Sequence, residues 1–313
     1  MAIYILKRVG VALLTLLIIM TITFYLMDAV PGSPFLTEKS TPKQIELAEK
    51  KYGLDKPKIV QLKNYIVSYL KGDLGTSLKM QEGTSVNTII FHQGKFGLSI
   101  KLGLSALFVA VSVGIPLGCI AAYNRGTWLD GLLRVITTIG VAMPGFVLAT
   151  LLLVAFTVKL KIFNVISGDL PDLKSMILPL ISMSAYYICY VAKLTRTSML
   201  DAINQDYIRT ARAKGVKTRT IVLKHALRNS LIPVITYLGP VTAGIITGSF
   251  VVESTFSIPG LGRYYVQCIM SRDYPVIMAT TVVLSALVIF MNLMVDVAYK
   301  IVDPRITLTN KED

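Results

Sequence analysis

A chain of 313 residues with 53% apolar and 16% charged residues and a mean hydropathy of +0.63 lies outside the soluble range of about 45 to 50% apolar and 25% charged. An ordinary soluble domain is excluded. The net charge of +14 would suit a polyanion, but the basic residues fall mainly in loops between apolar spans, as the positive-inside rule expects, so no nucleic acid is expected as a partner.

Lys7 and Arg8 precede an apolar run from Val9 to Met27, long enough to cross a hydrocarbon core of about 30 Å. The run is too long for a signal-peptide core, and Pro31 stands where a small-residue cleavage site would have to work, so an uncleaved first span with the amino terminus inside is expected. From Asp28 to about Leu98 the chain is polar. Its lysines, Lys39, Lys43, Lys50, Lys51, Lys56, Lys58 and Lys63, do not conflict with an external position, because the charge rule is counted over short loops and near span ends. Glu46 to Asp55 reads as a helix closed by Gly53, and Ile59 to Leu70 as another. A folded extracellular segment is predicted.

The second span runs from about Leu102 to Tyr123, with a kink expected at Gly114-Ile115-Pro116-Leu117-Gly118. A short inside loop, Asn124 to Asp130, offers an Asp130–Arg134 pair at i, i+4. The third span, Leu132 to Val158, holds Met143-Pro144-Gly145-Phe146 in its interior. An external loop from Lys159 to Ser175 leads to a fourth span, Met176 to Ala192, in which Pro179 is expected to break the helix.

A basic island follows, Asp201 to Pro233. Ile203, Tyr207 and Ala211 at i, i+4, i+8, with Arg209, Arg212 and Lys214 on other faces, predict a short amphipathic helix capped by Asp201. Gly215 supplies a turn at no steric cost. A second helix would carry Lys224 and Arg228, and Pro233 would introduce the next span. Central cations cost about 2.5 to 3.5 kcal/mol each in a bilayer. The island is therefore placed on the cytoplasmic side.

The fifth span, Leu231 to Val252, contains Gly239, Ala243, Gly244 and Gly248 at small-xxx-small spacing, expected to pack closely on a neighbouring helix. A second external loop, Glu253 to Pro275, precedes the sixth span, Val276 to Tyr299. The fold class is thus an all-α polytopic membrane protein of six transmembrane helices with both termini cytoplasmic. Its parts are 1–27, amino terminus and first span; 28–98, extracellular segment; 99–302, core with a cytoplasmic loop at 196–230; and 303–313, cytoplasmic tail.

Tyr207-Ile208-Arg209-Thr210-Ala211-Arg212-Ala213-Lys214-Gly215, followed by Lys224-His225-Ala226-Leu227-Arg228-Asn229 and Leu231-Ile232-Pro233, resembles the cytoplasmic EAA loop of ABC importer permeases, in the variant of the oligopeptide and dipeptide (B-type) branch. Where the general motif reads Glu-Ala-Ala, Arg209-Thr210-Ala211 stands here, and the stretch from Gly215 to Pro233 is longer. Tyr52-Gly53-Leu54-Asp55-Lys56-Pro57, Gly72-Asp73-Leu74-Gly75-Thr76-Ser77, Phe256 to Arg263, Arg272-Asp273-Tyr274-Pro275 and Val302-Asp303-Pro304-Arg305 also resemble that branch.

The resemblance implies a permease subunit whose coupling helix docks on an ATPase through Asp206, Tyr207, Arg209, Thr210, Ala211, Ala213, Lys214 and Gly215. It implies a homologous second permease, two ATPases that bind ATP and magnesium, an extracellular solute-binding lipoprotein, and a place in a bacterial or archaeal plasma membrane. Peptides are the implied solute; nickel chelates or glutathione are handled by relatives. Without the resemblance, the cationic face of the island would read as a contact for anionic membrane lipid.

The residues agree with a non-enzymatic role. No GxxxxGK[ST], HExxH or GxSxG occurs, His92 and His225 stand far apart, and the methionines are dispersed. Neither catalytic nor metal residues nor a cofactor are expected. Cys119, Cys189 and Cys268, with no CxxC, read as small buried apolar side chains. Ionisable groups in the spans are few, Glu253 and Asp296 beside Asn292, which disfavours a proton-driven secondary transporter. Solute-contacting residues cannot be named from the pattern.

Overall fold

The computed structural model describes residues 2–30, 50, 53, 55–164, 172–217, 220–246 and 250–302. Most of the lysine-rich stretch, the helix predicted at Glu46 to Asp55, part of the 159–175 loop and the Asp303-Pro304-Arg305 tail lie outside them. Among the described residues there are helices and no strands, with a single antiparallel bridge between Thr76 and Ser85. Among the described residues four helices are long and apolar enough to cross a membrane, and a bent helix pair makes a fifth candidate. The chain divides into two compact units, 1–99 with 259–293, and 100–258 with 294–313.

In the first unit, α1 (Ala2–Ala29) buries Met20, Phe24 and Met27 along one stripe while Leu13, Leu14 and Leu17 stay exposed. Such an apolar surface suits lipid. The predicted polar-segment helix is α2 (Lys58–Leu70), and Phe24 meets its Tyr65 edge to face at 6.0 Å. Lys58 pairs with Asp28. Val86, Ile89 and Ile90 complete the core with α10 (Leu261–Ser271) and the start of α11 (Tyr274–Val302).

The second unit is built on α6 (Ile177–Ile203), against which α4 (Trp128–Ala142), α5 (Gly145–Leu152), α8 (Leu227–Ile246) and the short α9 (Phe250–Thr255) pack. Pro179 does not break α6. It sits in the first turn, where the N–H it lacks would have no intrahelical acceptor. The helix then continues eleven residues beyond the predicted end at Ala192, because Lys193, Arg196 and Asp201 are tolerated once it leaves the apolar layer. Tyr190 of α6 stacks on Tyr237 of α8 with ring centroids 4.1 Å apart.

The third predicted span is not one straight helix. α4 and the stretch Gly145–Lys159, which is α5 followed by a π-type turn, are bent by 100°. Pro144 removes a donor and drives Met143 into an extended conformation, φ −77° and ψ 121°, so the hydrogen-bond ladder stops there.

Close helix approach is found on α3 (Lys95–Tyr123) and α4 rather than at Gly244. No atom lies within 4 Å of where a Cβ would stand at Gly244, and Gly248 is outside the described residues. Instead, a Cβ on Gly114 of α3 would meet the Ile188 carbonyl oxygen at 2.9 Å, and one on Gly118 the Ala192 carbonyl oxygen at 2.5 Å. On α4, a Cβ at Gly140 would collide with Cys189 Sγ. Gly114-xxx-Gly118 is thus a close-packing face on α6, and α3 runs as one helix through Pro116.

Candidate functional site

The predicted amphipathic helix is α7 (Asp206–Ala213). It does not start at Asp201, which lies inside α6; Gln205, at φ −75° and ψ 153°, occupies the cap position without a side-chain hydrogen bond. The break at Asn204-Gln205 interrupts the helical phase, so Ile203, Tyr207 and Ala211 do not form one buried stripe. The anchor is Ile208, fully buried among Ala122, Met199, Ala202, Ile221, Val222 and Ala226, with Ile203, Ala211 and Val216 packed at the edge. Tyr207 is 40% exposed and accepts a hydrogen bond from Asn229 Nδ2 at 2.9 Å.

Gly215 ends the helix as its residue type predicts. Its φ is +73°, its N–H bonds the Arg212 carbonyl at 2.9 Å, and the Val216 N–H bonds the Ala211 carbonyl at 3.1 Å. These are the two bonds of a Schellman cap, and Ala211 and Val216 both pack at the edge of the apolar cluster around Ile208. The next segment is a π-type turn, Ile221–Ala226, that runs directly into α8. Pro233 is therefore inside a helix, not at its start; the Lys224 side chain is outside what is described.

Apart from half-buried Ala211, every residue expected to couple to an ATPase is exposed: Asp206, Tyr207, Arg209, Thr210, Ala213, Lys214 and Gly215. Arg209 Nη1 approaches Asp206 Oδ1 at 3.5 Å with both groups in solvent, and the Thr210 hydroxyl donates to the Asp206 carbonyl at 3.0 Å. An exposed pair of this kind is worth about 0 to 1 kcal/mol. Asp206 in the first turn and Arg212 in the last complement the helix dipole. The result is a short convex helix held by one buried isoleucine and one glycine turn, with small and charged side chains facing out.

Two buried carboxylates were only half legible. Asp130 is 3.8 Å from Arg134 as the spacing suggests, but its main partner is Arg196, whose Nε and Nη2 donate at 2.6 and 2.9 Å to its two oxygens. Arg196 is 66 positions away in sequence, and no local pattern could have paired them.

Asp273, noticed as part of Arg272-Asp273-Tyr274-Pro275, is fully buried. It accepts the Ser77 hydroxyl at 2.6 Å and the backbone N–H groups of Leu78, Lys79 and Met80 at 3.0 to 3.1 Å. The signal that could have found it is an acid directly after an α10 terminus, paired with the Gly75-Thr76-Ser77 turn. Asn87 braces the same turn, accepting from the Leu74 N–H at 2.9 Å and donating to the Gly72 carbonyl at 2.7 Å.

The apolar helices define a multi-pass membrane protein. Residues 114–308 match the family described as binding-protein-dependent transport system inner membrane component, and residues 1–82 match its amino-terminal companion. The chain belongs to this family, the permeases of ABC importers. It is similar to the dipeptide transport system permease protein DppB of Bacillus subtilis, 44% identical over 312 residues and covering 99% of this chain and 100% of that one. The DppB of Lactococcus lactis is 40% identical over 305 residues, covering 97% of this chain and 99% of its own. The oligopeptide transport system permease protein OppB of Escherichia coli K12 is 39% identical over 304 residues, covering 97% and 98%.

Proposed function

We propose that this chain is the permease subunit of an ABC importer for dipeptides or oligopeptides, forming half of the translocation pathway for solute delivered by an external binding protein. The relatives' names, dipeptide and oligopeptide transport system permease proteins, supply the solute class. The observation that carries the mechanical reading is the exposed α7, fixed to its own unit by Ile208 and turned by Gly215.

In this reading α7 is the coupling helix. Asp206, Tyr207, Arg209, Thr210, Ala211, Ala213, Lys214 and Gly215 meet a groove on an ATPase subunit, small residues permitting close approach and charges fixing register. Two ATPases bind ATP and magnesium and hydrolyse the nucleotide; this chain contributes no catalytic residue. A homologous permease completes the pathway. The topology has six spans with both termini cytoplasmic, the stretch 28–98 outside, the coupling loop 196–230 inside and a cytoplasmic tail at 303–313. Lys7 and Arg8 fix the orientation of the first span.

The test is co-purification of the tagged chain from its native membrane in mild detergent, with companions and bound small molecules identified by mass spectrometry. A second permease, two ATPases and a binding protein carrying peptides are expected. Recovery of the chain alone, with solute flux in vesicles lacking any ATPase, would overturn the reading in favour of a secondary transporter.

A further inference from the structure

A cavity of about 320 Å³ opens within the second unit, walled by Phe146 at the start of α5, Met183, Tyr186 and Tyr187 of α6, and Val251 of α9. Its size lies at the lower end of the roughly 300 to 1,000 Å³ of small-ligand sites. Among the described residues, none that lines it is charged. An aromatic row continues from it along α6 and on to α8. Tyr186 meets Tyr187 edge to face with ring centroids 5.2 Å apart and stacks towards Tyr190 at 6.2 Å, and Tyr190 stacks on Tyr237 at 4.1 Å.

This face of α6 is not the one that packs on α3. Ser182, Tyr186 and Tyr190 follow at i, i+4 and i+8, whereas Ile188, Val191, Ala192 and Thr195, which a Cβ on Gly114 or Gly118 would meet, lie on the opposite side. Nor is the tyrosine face built for lipid. Between Lys174 and Lys193, the nearest charged residues on either side, Tyr186 and Tyr187 stand inside the apolar run rather than at its ends, the interfacial place that membrane tyrosines favour. Tyr186 is 36% exposed, and a phenol turned into hydrocarbon at that depth pays for hydrogen bonds that lipid tails cannot supply. On α1, by contrast, Leu13, Leu14 and Leu17 face outward. A second helix is equally ill served, since close helix contacts use small residues, as at Gly114 and Gly118. The medium that suits exposed phenols inside a membrane is water with a polar solute in it.

We propose that this cavity and the row from Tyr186 through Tyr190 to Tyr237 form the surface over which the chain passes its peptide solute, with Tyr186 and Tyr187 in direct contact. The inference rests on the peptide-importer reading and names the residues of this chain that meet the solute. Peptide chemistry fits such a wall. Amide groups exchange hydrogen bonds with phenol hydroxyls, and side chains of many kinds lie on aromatic rings, which supply broad contact at little entropic cost. With no charge in the wall, no one terminus or side chain is held tightly, and the solute moves on.

The test uses the assembled transporter in lipid vesicles, supplied with its binding protein, ATP and two tritiated probes, alanylalanine and tetraalanine. The photoreactive residue p-benzoylphenylalanine replaces Tyr186 or, as a control, the exposed Phe108 of α3. Capture of a labelled probe at Tyr186, dependent on binding protein and ATP, with none at Phe108, is expected. Tyr186→Ala/Tyr187→Ala is expected to lower uptake about tenfold through the loss of two aromatic contacts, with co-purification of the ATPases unchanged, and Tyr186→Phe/Tyr187→Phe to lower it less. Where the unsubstituted transporter carries the probes, capture of phospholipid or of the second permease at Tyr186 in place of a probe, or undiminished uptake in the alanine variant, would overturn this inference alone. No uptake of either probe by the unsubstituted transporter would overturn the peptide reading and this inference with it. If the alanine variant fails to assemble, the photocapture decides.

Discussion

The segment around Ser77 and the helix α7 are both short pieces of chain fixed to a helical unit, and they are fixed by opposite chemistry. Leu78, Lys79 and Met80 are tied through their backbone N–H groups to a fully buried carboxylate, Asp273, with the Ser77 hydroxyl as a fourth donor. α7 is held by the side chain of Ile208 and by a glycine turn, and its polar groups face solvent. Directional bonds to a buried charge define one geometry and penalise every other. A single apolar knob defines a pivot. The first construction suits a part that must keep its shape; the second suits one that must meet a partner.

The largest effect is expected at the carboxylate. Asp273→Ala strands buried donors that each cost about 1 to 3 kcal/mol unpaired, so a destabilisation of about 4 kcal/mol or more is expected, read by denaturation in mild detergent and by new protease cleavage between Gly72 and Gly94. A loss below about 1 kcal/mol would dissolve the contrast drawn here. Next comes Ile208→Ala, expected to cost about 2 to 4 kcal/mol, as core truncations do; its signature is loss of ATPase recruitment with membrane insertion intact, scored by co-purification.

Gly215→Val sharpens the comparison from the other side. A β-branched residue at φ +73° is strained by about 1 to 3 kcal/mol, and uptake is expected to fail with insertion unaffected. Normal transport in that variant would remove Gly215 from the mechanism. Asp206→Ala should change stability by less than about 0.5 kcal/mol, since its pair with Arg209 is solvent-exposed, yet lower ATPase affinity measurably; a stability loss without an affinity loss would invert its assigned role.

The smallest effect is a null one with a chemical cause. Burial pushes the Cys268 thiol up to about 12, so it carries almost no thiolate at pH 8 and should resist maleimide until the first unit unfolds. Modification of Cys268 in the folded protein, mapped by mass spectrometry, would show that the core around Asp273 opens.

The sequence was informative wherever a residue type has a local consequence. Gly215 declared its positive φ, the apolar runs of α1, α3, α6 and α11 their long helices, and Ile59 to Leu70 its helix. It was less so where the outcome depends on phase or distance. Asp201 looks like a cap because it precedes a basic stretch, but α6 had not yet ended, and the break at Asn204-Gln205 shifted the buried face to Ile208. Met143-Pro144 signalled an interruption whose 100° angle is set by the packing of α5 on α6. Gly114 and Gly244 both stand in small-xxx-small pairs, and the position of α6 decides that the first is pressed against a backbone while the second has open space beside it.

That pressure at Gly114, Gly118 and Gly140 makes α6 the fixed spine of its unit. Its 27 residues extend about 40 Å at 1.5 Å per residue, and α7 hangs from its end. Where carbonyl oxygens stand 2.5 to 2.9 Å from the missing methyls, α3 cannot slide along α6 without collision. α3 and α6 are therefore locked in register, and a single methyl at Gly118 is expected to force them apart at mid-shaft.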